Sequence, residues 1–170
     1  MLSEVSGRKD DYCVKYLFLD IDGVMNSAAD RFSIKLINNA SFERLKKIID
    51  ATGAKIILSS SWRHGYEHGT CDLLKQRLAG YGLSIEDITP INNNRRGQQI
   101  REWLITHDYD KNVDTFVILD DEDFDILTLY PEQMVKTDAM VGLTDYQAWK
   151  CIDKLNRKSN KRLLEEEYGD

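Results

Sequence analysis

Tyr16-Leu17-Phe18-Leu19-Asp20-Ile21-Asp22-Gly23 is four apolar residues in a row, then two carboxylates one residue apart, then a glycine. A short apolar run bounded by a turn former reads as a strand buried on both faces, which is what a parallel sheet requires. The strand is predicted over Val14 to Leu19. Further runs of strand length follow at Ala54 to Leu58, Leu83 to Ile88, Thr115 to Leu119 and Met134 to Thr137.

Segments of helical period lie between them. Ser41 is placed to cap a helix to Asp50 that ends at Gly53, with Phe42, Leu45, Ile48 and Ile49 on one face. Leu73, Leu74 and Leu78 mark a helix ended by Gly80, and Ile100, Trp103 and Leu104 one that starts near Gly97. A short helix from Asp123 to Tyr130 stops at Pro131. Thr144 and Gln147 form a capping-box pattern ahead of Trp149, Ile152 and Leu155. Strands alternating with helices predict an α/β fold: a mainly parallel five-stranded sheet, helices on both faces, three layers.

A length of 170 residues suits one domain spanning 1–170, with a polar segment at 1–11 and a charged helical tail at 157–170. The composition, 42% hydrophobic and 31% charged, is that of a folded soluble chain. A net charge of −6 supplies no global field for holding nucleic acid, so any such binding needs a local basic patch. Cys13, Cys71 and Cys151 are odd in number and lack zinc spacing. Met1 to Asp11 has no apolar h-region, and no run approaches the roughly 20 apolar residues of a membrane span. These features predict a reduced cytoplasmic protein with no membrane association.

Ligands of parallel sheets bind at the carboxyl ends of the strands. There the first strand delivers Asp20 and Asp22, the second Ser59-Ser60-Ser61, and the fourth Asp120-Asp121-Glu122-Asp123 with Asp125 beyond. Carboxylates so crowded repel one another unless a cation sits among them. All-oxygen donors favour Mg²⁺, which commonly completes its shell with waters and a substrate phosphate. The pattern points to phosphoryl chemistry.

The ordered set resembles the motifs of the haloacid dehalogenase (HAD) superfamily. Leu17 to Val24 looks like motif I, Ile56-Ile57-Leu58-Ser59 like motif II, Arg96 before Gly97 like motif III, and Val117 to Asp121 with Asp125 like motif IV. The finer pattern is similar to the small HAD domains of RNA-repair proteins: Ser59-Ser60-Ser61-Trp62-Arg63, Arg96-Gly97 with Trp103-Leu104, and Gly142-Leu143-Thr144. The resemblance implies a Rossmann-like phosphatase fold. Asp20 would be the nucleophile that forms an aspartyl-phosphate, and Asp22 the general acid and base. Ser59, Ser60 and Arg96 would bind the phosphoryl group, with Arg95 the neighbouring alternative. Mg²⁺ would be held by Asp20, the Asp22 carbonyl and Asp121, with Asp120 the alternative ligand and Asp125 acting through water.

HAD caps are inserted after motif I or between motifs II and III. Here 59 − 20 = 39 and 96 − 59 = 37 residues separate the motifs, and core elements use most of them, leaving a flap at Met25 to Ala40. A minimal cap leaves an open site, which favours a bulky phosphorylated partner such as a nucleic-acid end or nucleotide. Arg31, Arg63 and Arg95, with Asp30, are the expected substrate contacts. The alternatives are a small-metabolite phosphatase, a receiver-type phosphoacceptor and a catalytically silent binding module on the HAD fold. His64 and His68 read as a solvated pair on a loop, because Gly65 and Gly69 interrupt any helix. The sequence leaves oligomeric state open.

Overall fold

The strands of this α/β domain alternate between two cores. The computed structural model describes residues 13–27, 37–69 and 71–157. In it β1 (Lys15–Leu19), β2 (Lys55–Leu58), β3 (Ile85–Ile88), β4 (Thr115–Asp120) and β5 (Met134–Lys136) form one sheet whose paired strands are all parallel. Successive side chains on a strand point to opposite faces. Accordingly Leu17, Leu19, Ile56, Leu58, Val117 and Leu119 enter one core, and Tyr16, Phe18, Ile57, Phe116 and Ile118 enter the other.

Helices α1 (Asn39–Thr52), α3 (Asp72–Gly80) and α6 (Asp145–Asn156) cover the first face with Phe42, Leu45, Leu74, Leu78, Cys151 and Leu155. Helices α4 (Arg96–Thr106) and α5 (Ile126–Leu129) cover the second with Ile100, Trp103, Leu104 and Ile126. This is the expected three-layer arrangement.

The strand order is β3-β2-β1-β4-β5. The chain winds outward from β1 to β3, then returns to β4 on the opposite side of β1. The winding therefore reverses between β1 and β4, and a crevice opens there at the carboxyl ends of the strands.

Local chemistry departs from the sequence reading in three places. Asn38, not Ser41, caps α1: its side chain accepts from the Ser41 N–H at 3.0 Å. Helix α5 begins at Ile126 rather than Asp123, because Phe124, with φ of 41°, cannot continue a right-handed helix. Arg63–Glu67 is a short helix, α2, where a loop was expected. Gly65 is tolerated inside it, and Gly69, with φ of 76°, follows its end. The capping box of Thr144 and Gln147 is present. The charged tail beyond 157 and the first twelve residues lie outside the described residues. Among those described, no helix is long and apolar enough to cross a membrane.

Trp103 ties α4 to the sheet. Its ring centroid lies 5.0 Å from that of Tyr16 and 5.4 Å from that of Phe18, both edge-to-face. Its indole N–H donates to Asp87 on β3 at 2.8 Å. Trp103→Ala should cost about 3–5 kcal/mol, the usual range for truncating a buried aromatic. Urea unfolding checks this, and a loss under about 1 kcal/mol would show that α4 is held by other contacts.

Candidate functional site

Register decides which side chains meet. Leu19 pairs with Leu119, and the Asp20 N–H donates to the Leu119 carbonyl at 3.0 Å. On the other side of β1 the Ser59 N–H donates to the Leu19 carbonyl at 3.0 Å, and beyond β4 the Thr137 N–H donates to the Asp120 carbonyl at 3.0 Å. Four strand ends are thus locked side by side. A cavity of about 190 Å³ opens above them, lined by Asp20, Asp22, Ser61, Arg96, Asp121, Glu122 and Phe124.

Asp20, Asp120 and Asp121 are buried, and one oxygen of each lies within 4.8 Å of the others. Burial raises the Asp20 carboxyl well above the usual carboxylate range. The Asp120 charge and a hydrogen bond with Asp121 add to this, while Arg96 and a Ser60 hydrogen bond oppose it. Two carboxylates in hydrogen-bond contact require a proton or a cation between them. Burial likewise raises Asp120, against the pull of Arg96.

The turn after β1 brings in Asp22. It passes so close to β4 that a Cβ on Gly23 would lie 2.4 Å from Asp121 Oδ2, and its φ of 80° also needs glycine. The Asp22 carboxylate accepts from Trp62 Nε1 at 2.8 Å and from Asn26 Nδ2 at 3.0 Å. Asn26 Oδ1 accepts from the Gly23 N–H at 2.9 Å, which fixes the amide's orientation. Asp22 is therefore held from two sides.

Arg96 enters from the start of α4. One guanidinium nitrogen bonds Asp120 Oδ2 at 2.5 Å and lies 3.3 Å from Asp20 Oδ1. Burial disfavours its charge, but Asp120 and Asp20 outweigh that and keep it protonated. Of the arginine pair, Arg96 lines the cavity, while Arg95 is an exposed residue ahead of α4.

Other expected site residues have different surroundings. Ser60 lies against Asp20, and its hydroxyl accepts from the Trp62 N–H at 3.3 Å. The Ser59 hydroxyl is fully buried and has no hydrogen-bond partner among the described residues. Arg63, expected to contact substrate, is only 4% exposed. Its guanidinium donates to the carbonyls of Ser59 at 2.7 Å and Ser60 at 2.9 Å, and to Gln99 Oε1 at 2.7 Å. Burial first, then the Arg96 charge, lowers its pKa to about 10. Arg63 braces the serine loop against α4 and is not among the residues that line the cavity. Arg31 and Asp30 lie outside the described residues.

Asp125 was expected to reach a metal through water. Instead its two carboxylate oxygens accept from the N–H groups of Gly97 at 2.7 Å and Gln98 at 3.1 Å. It satisfies orphan donors of α4, and its charge suits the positive end of the helix. A Cβ on Gly97 would come within 2.8 Å of this carboxylate.

With this geometry in place, comparison with known families is decisive. The model of the HAD domain in Swiss Army Knife RNA repair proteins matches residues 16–148, from β1 into α6. The chain belongs to that family. No curated protein and no solved structure matches it. At the level of the superfamily, this HAD domain is of the phosphatase type of hydrolase, with an acidic cluster where a divalent cation fits.

Trp62, Asn26 and Phe124 were missed from the sequence. Only the indole and amide beside the motifs hinted at the first two, since each carries a donor that a packing residue would not need. If Asp125 is a helix cap, Asp125→Ala should lower stability by about 1–2 kcal/mol in urea unfolding. Mg²⁺ affinity by calorimetry should change less than about threefold, whereas loss of a ligand's hydrogen-bonded neighbour costs about 10-fold or more. A Mg²⁺ affinity that collapses at unchanged stability would restore the metal role.

Proposed function

We propose that this HAD domain is a Mg²⁺-dependent phosphomonoester hydrolase that works through an aspartyl-phosphate on Asp20 and acts on a nucleic-acid end. The observation that carries this reading is the charge of the cavity. Asp20, Asp22, Asp121 and Glu122 line it against the guanidinium of Arg96. Such a lining repels a phosphate unless a cation is present, and it offers that cation hard oxygen donors.

Asp20, Asp121 and the Asp22 backbone carbonyl would hold the ion. Asp120 is less suited as a direct ligand, because its oxygens already accept from Arg96 at 2.5 Å and from the Glu122 N–H at 3.0 Å. Bound Mg²⁺ supplies charge neutralisation for the phosphoryl oxygens and orients the phosphate.

The chain's own groups account for the covalent steps. An Asp20 oxygen attacks phosphorus; the bond to the ester oxygen breaks, and Asp22 gives that oxygen a proton. Water then attacks the phosphorus of the acyl phosphate, Asp22 takes the water's proton, and inorganic phosphate leaves with Asp20 restored. Arg96, kept charged, faces the phosphoryl group with a planar donor fork. The unpartnered Ser59 hydroxyl at the end of β2 is suited to donate to the same group. Positioning and charge dominate phosphoryl transfer, so this small set is sufficient.

Two features support a bulky substrate. The described residues between Ser59 and Arg96 are taken up by α2, α3, β3 and their connections, with no inserted domain to cover the cavity there. The family description is of RNA-repair proteins. Receiver-type chemistry is disfavoured by topology: receivers have the strand order 2-1-3-4-5, whereas β1 is central here.

Purified protein should hydrolyse 3′- or 5′-phosphorylated oligonucleotides with Mg²⁺, and chelator should abolish turnover without zinc restoring it. Turnover in chelator would refute the metal assignment, and a preference for free sugar phosphates would replace the nucleic-acid substrate. Asp20→Asn should abolish turnover. Asp22→Asn should slow alkyl phosphates roughly 10²–10⁴-fold and aryl phosphates far less, because a phenol needs little protonation. Equal losses on both would reverse that assignment.

Trp62→Phe keeps the ring but removes the donor to Asp22. Its kcat on alkyl phosphates should fall roughly 10- to 100-fold through misplacement of the acid, with KM little changed. An unchanged kcat would show that Asn26 alone positions Asp22.

A further inference from the structure

We propose that Phe124 is a stacking platform for the nucleobase next to the phosphate being removed. The inference rests on the phosphohydrolase reading above and assigns the contact by which the substrate's base is held.

Phe124 has φ of 41°, in the left-handed region that a bulky side chain rarely enters. Such a conformation is strained and persists only where neighbours impose it. Here they do. Asp125 on one side is fixed to the start of α4, and Ile126 beyond it is fully buried in the core. The Ile126 N–H donates to the Asp123 carbonyl at 2.7 Å, closing the turn around Phe124. The strain does not serve to bury the ring, because Phe124 remains 49% exposed.

Its location indicates the use. Phe124 is the aromatic residue in the lining of the catalytic cavity. The Arg96 guanidinium carbon sits 4.9 Å from its ring centroid, a cation–π distance. The ring therefore lies beside the group expected to take the phosphoryl oxygens. A cavity of about 190 Å³ is smaller than the roughly 300–1,000 Å³ that encloses a drug-sized ligand. It takes a phosphoryl group and the atoms next to it, so the rest of a nucleotide must lie at the rim. An exposed aromatic ring at that rim offers a π-face to any base, whatever its sequence, and little to a sugar without one.

The test compares substrates that differ only in the base. Tetranucleotides phosphorylated at the 3′ or 5′ end are set against the same chains with a tetrahydrofuran abasic residue carrying the phosphate. The ratio of kcat/KM for the two should favour the base. It should fall about 5- to 150-fold in Phe124→Ala and Phe124→Leu, the range for losing one base–aromatic stack, and persist in Phe124→Trp. If both substrates lose activity together, Phe124 only supports Arg96 and the proposal falls; an unchanged ratio also overturns it.

Binding followed by fluorescence anisotropy in the Asp20→Asn background reads the platform without turnover. There Phe124→Ala should weaken the base-bearing chain alone, and equal weakening of both chains overturns the stack. Wild-type protein that binds with this preference but turns over no phosphomonoester would refute the phosphohydrolase reading while leaving the platform standing.

Discussion

The pairing of Leu19 with Leu119 is the constraint on which the site depends. Once β1 and β4 are neighbours in that register, the residues after each strand leave the sheet side by side. Asp20 then stands against Asp120 and Asp121 in a place largely shielded from water. A one-residue slip would turn each strand's side chains to the opposite faces and disperse the cluster. The cost of crowding these charges is met by two devices. Arg96 bridges Asp120 and Asp20 from the start of α4, and Asp20, Asp120 and Asp121 each turn an oxygen to a common point where a metal ion could be held. The sheet thus holds charge that a loop could not keep together.

Around that centre lies a shell of charged residues whose task is structural. Arg63 and Asp125 both looked functional in the sequence, since each sits inside or beside a motif. Arg63 instead spans the Ser59 and Ser60 carbonyls and Gln99, joining the second strand's loop to α4. Asp125 caps α4 on its Gly97 and Gln98 amides. Both contacts fix the helix that carries Arg96. The Arg96 guanidinium is thus positioned by another arginine and by an acid bound to the helix amides.

The fold and the acidic cluster were legible because they follow from one-dimensional patterns. Five apolar runs marked the five strands, and the acids and serines that ended them marked the site. The order of the strands could not be read from those runs, and it is the structure that sets β4 beside β1 and Arg96 over the cavity. What stayed hidden depends on side-chain direction. Nothing in Ser59-Ser60-Ser61-Trp62-Arg63 shows that the arginine turns inward, or that the tryptophan N–H reaches back 40 residues to Asp22. Nothing in Asp123-Phe124-Asp125 shows that a left-handed turn lifts the phenylalanine to the cavity rim. Helix ends also shifted: α1 starts at Asn39, so Ser41 lies in its first turn as the donor to the Asn38 cap.

We propose that Asp20, among all the acids gathered at this junction, is the residue that takes the phosphoryl group. Acid quenching during turnover of a phosphorylated oligonucleotide, followed by peptide mass spectrometry, tests it directly. One phosphoryl group is expected on the peptide bearing Asp20, bonded to that carboxylate and removed by hydroxylamine as an acyl phosphate. A phosphoryl group on Asp120, Asp121 or Ser59, or steady turnover with no trapped acyl phosphate, would contradict it.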